Sequence, residues 1–183
     1  WQGHFELPCL NLFNPDVRSY LFDVIRFWID EFDIDGIRLD CANVLDFNFM
    51  KEMRSQTEDM KEDFWLMGEV IHGDYSRWVN NEMLHSVTNY ELHKSLYSGF
   101  NDHNFFEIAH NVRRLEAIGR QLYTFVDNHD EDRIATKLKL REHLFPIYIC
   151  LFTLPGIPSI YYGGEWGIEG KRTNTSDEAL RPA

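Results

Sequence analysis

The sequence is poor in cysteine, and the few cysteines are scattered. Cysteine occupies only three of the 183 positions, as Cys9, Cys41 and Cys150. An odd number at this wide spacing excludes a disulfide framework and a paired-cysteine zinc motif. Because free thiols persist in a reducing compartment, we expect a cytoplasmic protein.

Long apolar runs and an excess of basic residues are also missing. The longest apolar candidate, residues 147–154, is interrupted by Thr153 and closed by Pro155, whereas a membrane-spanning helix needs about 20 apolar residues. No basic segment followed by an apolar one marks a signal peptide. The 18 Lys and Arg residues face 30 Asp and Glu residues, for a formal net charge of -12. Because this charge repels phosphate backbones and anionic lipids, we expect neither nucleic acid nor membrane as a partner.

Apolar and aromatic residues, in contrast, are plentiful. Hydrophobic residues make up 44% and aromatic residues 15% of the sequence, which excludes a disordered chain because such chains lack the apolar area needed to offset chain entropy. The length suits one domain. The sequence begins at Trp1 rather than at a methionine and ends in a polar segment. We therefore expect residues 1–183 to be a fragment of one larger domain.

Apolar periodicity predicts alternating helices and strands. Asn14 can cap a first helix that begins at Pro15. We predict helices at residues 15–32, 47–63, 104–118 and 138–152, and strands at residues 37–40, 64–69, 86–90, 122–127 and 158–162. This alternation is typical of an α/β fold with a parallel sheet. No glycine fingerprint of a dinucleotide fold follows any predicted strand, so we favour part of a (β/α)8 barrel over an open doubly wound sheet.

Three of the predicted strands end in a carboxylate, namely Asp40, Glu69 and Asp127. Sites of α/β proteins assemble at the carboxyl ends of strands, so these acids are candidate catalytic residues. Strand alternation places Arg38 on the same face as Asp40, where its charge favours the ionised carboxylate of a nucleophile. Glu69 follows the apolar residues 64–68, and this setting suits a proton donor.

The three acids could instead have structural or metal-binding roles. A lone acid at a strand end is usually a helix cap or a solvated loop residue. A metal site could use Asp127, His129, Asp130 and His72. Neither an H-x-H nor an H-E-x-x-H pattern accompanies them, so we favour acid–base and nucleophilic chemistry over a metal centre.

Three segments together resemble a known family. Residues 35–40 (DGIRLD), 68–70 (GEV) and 125–130 (FVDNHD) resemble, in order, the second, third and fourth signature regions of the alpha-amylase family of glycoside hydrolases. Residues 155–165 are similar to the eighth barrel strand of that family and the loop after it. The resemblance covers residues 7–181 and implies strands four to eight of a (β/α)8 catalytic barrel, with the first strands absent.

The resemblance implies a role for each site residue. Asp40 would be the nucleophile of a retaining glycosidase and Glu69 its general acid and base. Asp127 would bind sugar hydroxyls, Arg38 would orient Asp40, and His129 would contact the bound glucose. Such a mechanism needs two carboxyl groups about 5–5.5 Å apart, and neighbouring strand ends about 4.8 Å apart can supply that separation.

Four further residues are predicted to bind substrate. Asp177 and Arg181 match a loop that in relatives places an Asp and an Arg near the nonreducing glucose. Asn128 belongs to the fourth signature region. His72 lies three residues after Glu69 and could reach the site from the same loop.

The sequence also departs from the family pattern. Many members carry a Lys-His pair used in substrate and calcium contacts where this chain has Asn43 and Val44. Residues 41–43 look more like the branch of cyclomaltodextrinases, neopullulanases and maltogenic amylases, which favours small maltooligosaccharides. We expect no required cofactor and no metal ligands at the site, with a structural calcium doubtful. With the first three of eight barrel strands missing, the fragment should associate with the remaining barrel half or with itself.

We interpret the chain as part of a retaining hydrolase of α-1,4-glucosidic bonds in maltooligosaccharides or starch-derived glucans. A noncatalytic amylase-like scaffold and a transglycosylase of the same family are the alternatives.

Cys41 directly follows Asp40 and should point away from it. Trp166 is a candidate sugar platform. The remaining histidines are expected to be surface or capping residues, namely His85, His93, His103, His110 and His143.

Overall fold

A computed structural model describes residues 5–173 and 176–182. The chain divides into two compact units. The first unit comprises the residues up to Glu69 together with Asn80–His85, and the second comprises Val70–Val79 and the residues from Ser86 onward.

Among the described residues, the first unit contains two α-helices and two strands in alternation. These elements are α1 (Pro15–Phe32), β1 (Gly36–Leu39), α2 (Phe47–Met60) and β2 (Trp65–Gly68). Helix α1 begins as predicted, because the Asn14 side chain accepts a hydrogen bond of 2.9 Å from the Asp16 N–H. It ends at the left-handed residue Asp33. Helix α2 stops three residues before the predicted end, at residue 60 rather than 63.

Strands β1 and β2 pair in parallel, in a register that runs from Gly36 opposite Trp65 to Leu39 opposite Gly68. The ladder continues past the strands, since the Glu69 N–H donates to the Leu39 carbonyl at 2.8 Å. The two backbones approach closely at the first pair. A Cβ atom on Gly36 would lie 2.4 Å from the Trp65 carbonyl oxygen, so only glycine fits there without displacing a strand.

The helices of the first unit bury apolar side chains between them. Phe22 of α1 stacks on Phe49 of α2 with ring centroids 5.6 Å apart. Further buried residues of the two helices and of β2 are Ile25, Ile29, Met50, Met53 and Leu66. This packing anchors the two strands whose ends carry Asp40 and Glu69.

The second unit contains three strands and four helices among the described residues. They are β3 (Ser86–Val87), α3 (Tyr90–Asp102), α4 (Phe105–Arg114), β4 (Tyr123–Thr124), α5 (Ile134–Lys137), α6 (Leu144–Thr153) and β5 (Ile157–Pro158). Strand β4 pairs in parallel with β5, and Thr88 forms a parallel bridge with Tyr123. The helix–strand alternation and the parallel pairing confirm the predicted α/β character. Assignment to barrel strands four to eight of a single domain stays a prediction.

Helix α3 was not predicted from the sequence. The strand predicted at residues 86–90 was based on the β-branched residues around Val87. In the structure, Asn89 instead caps a helix by accepting a 2.9 Å hydrogen bond from the Leu92 N–H. A signal was present, because Leu92, Leu96 and Phe100 are spaced four residues apart and are buried on one face. The predicted strands at residues 86–90, 122–127 and 158–162 are also too long, since the paired segments span two residues each.

One apolar cluster forms the core of the second unit. It joins α3, α4, α5 and α6 to Val126, and its buried members are Leu92, Leu96, Phe100, Ile108, Val126, Ile134, Leu138, Ile147 and Leu151. In the part of the chain that the structure describes, no helix is both long enough and apolar enough to cross a membrane.

His93 is buried rather than at the surface, which corrects the expectation for this histidine. Its side chain is 3% exposed and stacks on Phe125, with ring centroids 5.1 Å apart. Its Nε2 lies 3.5 Å from a carboxylate oxygen of Glu131, and Lys137 also pairs with Glu131. Burial lowers the pKa of His93, so the ring is neutral at neutral pH. Hydrogen bonding to His93 and the ammonium of Lys137 lower the pKa of Glu131 to about 2.

Substitution of Gly36 by alanine tests the close strand approach. We expect Gly36→Ala to lower the free energy of unfolding by about 1–3 kcal/mol, because the new methyl group must displace the Trp65 backbone. The measurement is the urea midpoint followed by circular dichroism. Gly119→Ala is the control, since its Cβ would meet Pro155 at an ordinary 3.7 Å. Equal midpoints for the two variants would contradict the steric argument.

Stability should depend on pH through Glu131. Unfolding returns its pKa from about 2 to about 4.5, so the unfolded chain binds more protons between these values. The stabilising contribution is therefore present above pH 4.5 and is lost as the pH falls toward 2. We expect Glu131→Gln to cost about 1 kcal/mol at pH 7.

The same urea titration at pH 4 should show a smaller difference between the parent chain and Glu131→Gln than at pH 7. Exposed Glu142 supplies the control variant Glu142→Gln, for which the two stabilities should agree at both pH values. A Glu131→Gln deficit that grows on acidification would rule out the proposed linkage.

Candidate functional site

Arg38, Asp40 and Glu69 meet at the carboxyl ends of β1 and β2. The parallel register places Leu39 opposite Gly68, and the next residue of each strand is one of the acids. Nη1 of Arg38 lies 2.7 Å from Asp40 Oδ1, and Nη2 lies 3.2 Å from Glu69 Oε1. Oxygens of the two acids lie within 4.8 Å of each other. The structure thus brings together the three residues that the sequence predicted for this part of the site.

The two acids lie in contrasting surroundings. The Asp40 side chain is 74% exposed, whereas that of Glu69 is 9% exposed. An exposed carboxylate beside a guanidinium is accessible to an incoming group, and a buried carboxyl is suited to exchanging a proton with it. The pair therefore combines an accessible carboxylate with a buried acid at its side.

Cys41 does not point away from Asp40, which corrects the expectation from strand alternation. The chain leaves β1 through a left-handed residue, since Cys41 has a φ of 45°. The Cys41 thiol lies 3.6 Å from Asp40 Oδ2, and its N–H donates to Glu69 Oε2 at 3.2 Å. Burial and the neighbouring carboxylates raise the pKa of the Cys41 thiol, so it stays protonated and does not act as a nucleophile.

The same residues do not suit a calcium ion. Calcium requires six to eight oxygen ligands, whereas Cys41 offers sulfur and Arg38 already contacts both carboxylates. The guanidinium thus supplies the positive charge that a metal would otherwise bring.

Asp127 is buried in the second unit, and this contradicts its predicted contact with sugar. The side chains of Asp127 and Arg133 are both 0% exposed, and Arg133 Nε lies 3.2 Å from Asp127 Oδ2. The same oxygen accepts a 2.9 Å hydrogen bond from the Ile134 N–H. Burial raises the pKa of Asp127, although Ile134 and Arg133 act in the opposite direction. Its carboxylate anchors the start of α5 instead of facing a ligand.

The other side of Asp127 is closed by Gly164 and Tyr148. A Cβ atom on Gly164 would lie 2.2 Å from the Tyr148 hydroxyl and 3.5 Å from Asp127 Oδ1. Burial, with the nearby Asp127 carboxylate, raises the pKa of Tyr148. Since even a methyl group does not fit here, a sugar hydroxyl cannot reach Asp127 from this side.

An exposed cluster of the second unit joins two segments of the chain and is formed by His129, Asp130, Asp177 and Arg181. His129 Nε2 is 3.0 Å from Asp130 Oδ2, and Arg181 reaches Asp177 at 2.8 Å and Asp130 at 3.6 Å. The side chains are between 38% and 46% exposed. The structure therefore brings together three of the predicted substrate-binding residues, His129, Asp177 and Arg181, and adds Asp130.

The sequence analysis assigned the sugar contact to Asp127, because Asp127 is the first acid after the apolar run. It did not assign a substrate contact to Asp130, three residues later. A signal was available in Arg133, six residues after Asp127. A carboxylate at a strand end with an arginine shortly downstream can form an internal ion pair, which leaves the next acid free for a ligand.

Asn128 and His72 occupy different settings from the exposed cluster. The Asn128 amide donates to the Tyr90 hydroxyl at 3.1 Å and accepts from the Asp130 N–H at 2.9 Å, so it holds the turn that presents Asp130. His72 is exposed and borders a groove lined by α3 and α4. Trp166 is 79% exposed. Substrate contacts of these residues stay predictions.

Comparison with known proteins assigns the family. The model of the alpha-amylase catalytic domain matches residues 1–181. The intracellular maltogenic amylase of Bacillus subtilis is 32% identical over 174 residues, which are 91% of this chain and 29% of the relative. Neopullulanase 2 of Thermoactinomyces vulgaris is 34% identical over 184 residues, which are 96% of this chain and 31% of the relative.

A solved structure supports the same conclusion. The ligand-free cyclic alpha-maltosyl-(1-->6)-maltose hydrolase from Arthrobacter globiformis superimposes with a TM-score of 0.87 at 28% identity, covering 100% of this chain and 43% of that one. This chain spans less than one third of the length of the two curated relatives. The family model, these relatives and this fold show that the chain belongs to the alpha-amylase family.

Proposed function

We propose that the protein containing this chain is a retaining glycosidase that cleaves α-1,4-glucosidic bonds of maltooligosaccharides or starch-derived glucans. The observation that carries this proposal is the pair Asp40 and Glu69, whose oxygens lie within 4.8 Å of each other while Arg38 contacts both. Retaining enzymes hold their two carboxyl groups about 5–5.5 Å apart, whereas inverting enzymes need about 6.5–9.5 Å to admit a water molecule.

In the first step of the proposed reaction, Glu69 donates a proton to the glycosidic oxygen while Asp40 attacks the anomeric carbon. The bond to the leaving sugar breaks and a glycosyl–Asp40 ester forms. In the second step, Glu69 takes a proton from water, which attacks the same carbon and releases Asp40. Arg38 stabilises Asp40 as an anion before attack and after release.

For the third acid of the mechanism we propose Asp130 rather than Asp127. Asp130 is 39% exposed and lies beside His129 and Arg181, so its carboxylate can accept hydrogen bonds from sugar hydroxyls. Asp127 has its carboxylate enclosed by Arg133. In this proposal Asp130 binds the ligand and Asp127 supports the loop.

The names of the relatives guide the proposed substrate and location. They are maltogenic amylases, cyclomaltodextrinases and neopullulanases, so we propose short or cyclic maltooligosaccharides as substrates. One is called intracellular, in line with a proposed cytoplasmic location. We propose a mechanism without a cofactor. Self-association of the chain stays a prediction.

Two alternatives remain within the family. A noncatalytic scaffold would not need the paired acids, and their geometry therefore favours an enzyme. A transglycosylase would use the same first step, with a sugar hydroxyl in place of water in the second. The ratio of transfer products to free sugar, measured at increasing acceptor concentration, separates it from a hydrolase.

Loss of either paired acid should abolish turnover. In the natural protein that contains this chain, we expect Asp40→Asn and Glu69→Gln to lower kcat/KM for a nitrophenyl maltooside by at least about a thousandfold. The control Asp35→Asn replaces an exposed acid at the opposite end of β1, paired with Lys61 at 2.8 Å, and should leave kcat/KM within about twofold.

Product stereochemistry gives an independent readout of the same proposal. Proton NMR of the first turnovers should show the α-anomer, because two displacements at one carbon retain configuration. If the β-anomer appears first, or if Asp40→Asn keeps full activity, the proposed retaining mechanism is excluded. Activity that disappears on chelation and returns with a divalent ion would favour the metal-dependent alternative.

The roles of Asp127 and Asp130 separate in a matched pair of variants. We expect Asp130→Asn to lower kcat/KM by at least about a hundredfold with little change in melting temperature. Asp127→Asn should lower the free energy of unfolding by about 3 kcal/mol, because it leaves Arg133 buried without its counterion. Activity is compared per folded protein, below the melting temperature of each variant.

The reverse pattern would restore the prediction made from the sequence. If Asp127→Asn is stable but inactive while Asp130→Asn retains turnover, then Asp127 rather than Asp130 contacts the sugar.

A further inference from the structure

Arg38 and Cys41 share the task of holding the paired acids. Arg38 contacts Oδ1 of Asp40 and Oε1 of Glu69. Cys41 contacts the remaining oxygen of each acid, through its thiol to Oδ2 of Asp40 and through its N–H to Oε2 of Glu69. Each carboxylate is therefore held at both oxygens, which restricts rotation about its last side-chain bond.

The thiol contact matters most for Asp40. This side chain is 74% exposed, and an exposed aspartate held at one oxygen can still turn its carboxylate plane. Attack on a sugar requires one oxygen to be aligned with the anomeric carbon. A second donor at Oδ2 supplies that alignment, even though a thiol is a weak donor.

The N–H contact depends on backbone shape. Cys41 adopts a φ of 45°, a left-handed conformation that few residues other than glycine and asparagine adopt readily. This turn aims the N–H at Glu69 instead of continuing the strand. The side chain and the backbone of one residue thus act on different acids, and separate substitutions can test them.

We infer that Cys41 is a positioning residue that orients both Asp40 and Glu69 for the reaction. This inference rests on the proposed function, since it assumes that the two acids perform the chemistry. Cys41 itself forms no bond to substrate. It fixes the carboxylate planes.

The test uses the natural protein that contains this chain. Cys41→Ala removes the thiol but keeps the N–H, and should lower kcat/KM by about three- to tenfold with an unchanged melting temperature. The loss should appear in kcat rather than in KM, because the thiol orients the attacking carboxylate and does not bind substrate.

Two further variants sharpen the experiment. Cys41→Ser restores a donor and should recover most of the rate. Cys41→Val disfavours the left-handed turn, which weakens the N–H contact to Glu69, and should lower kcat/KM further than Cys41→Ala. The control Cys150→Ala changes a partly buried cysteine of the second unit and should leave kcat and KM unchanged.

Three results would overturn the inference. The first is a Cys41→Ala enzyme with kcat and KM within about twofold of the parent. The second is a rate loss that follows a lower melting temperature and is not recovered by Cys41→Ser, which would mark a purely structural residue. The third is an active Asp40→Asn enzyme, which would also remove the proposed function, whereas the first two leave that function intact.

Discussion

The parallel ladder between β1 and β2 decides where Asp40 and Glu69 lie, and the chemistry of the first unit depends on it. Because side chains alternate along a strand, a shift of one residue would turn one acid toward the helices. The close approach at Gly36 and the packing of α1 on α2 hold the register. Two carboxylates this close repel each other, and the shared guanidinium of Arg38 offsets that repulsion. Register and counter-charge together hold the two carboxylates side by side.

Much of this arrangement could be predicted from the sequence, because it follows from local rules. The cap at Asn14 and the proline after it marked the start of α1. Alternation placed Arg38 beside Asp40, and the strand ends placed Glu69 next to them. Composition and strand–helix alternation indicated the α/β class. Each of these steps depends on residues near one another in the chain, where periodicity and capping are informative.

The features that were missed depend on conformations that periodicity does not describe. Cys41 turns back to Asp40 because a left-handed residue breaks the strand alternation. Asp127 is enclosed by an arginine six residues later, and the alternation of side chains along a strand does not reveal this ion pair. Helix α3 begins at a cap within a segment rich in strand-forming residues, where capping prevailed over intrinsic preference.

The buried pair Asp127–Arg133 explains how the exposed cluster keeps its shape. Arg133 also donates to the carbonyls of Tyr162 and Leu180 and lies over the ring of Tyr161 at 4.4 Å. One buried cation therefore ties the end of β4 to the segment that carries Arg181. Arg181 in turn contacts Asp130 and the His129 carbonyl. The buried guanidinium of Arg133 therefore fixes the positions of the exposed residues from the interior of the unit. A buried ion pair contributes little net stability, so its value here lies in fixing which neighbouring groups face solvent.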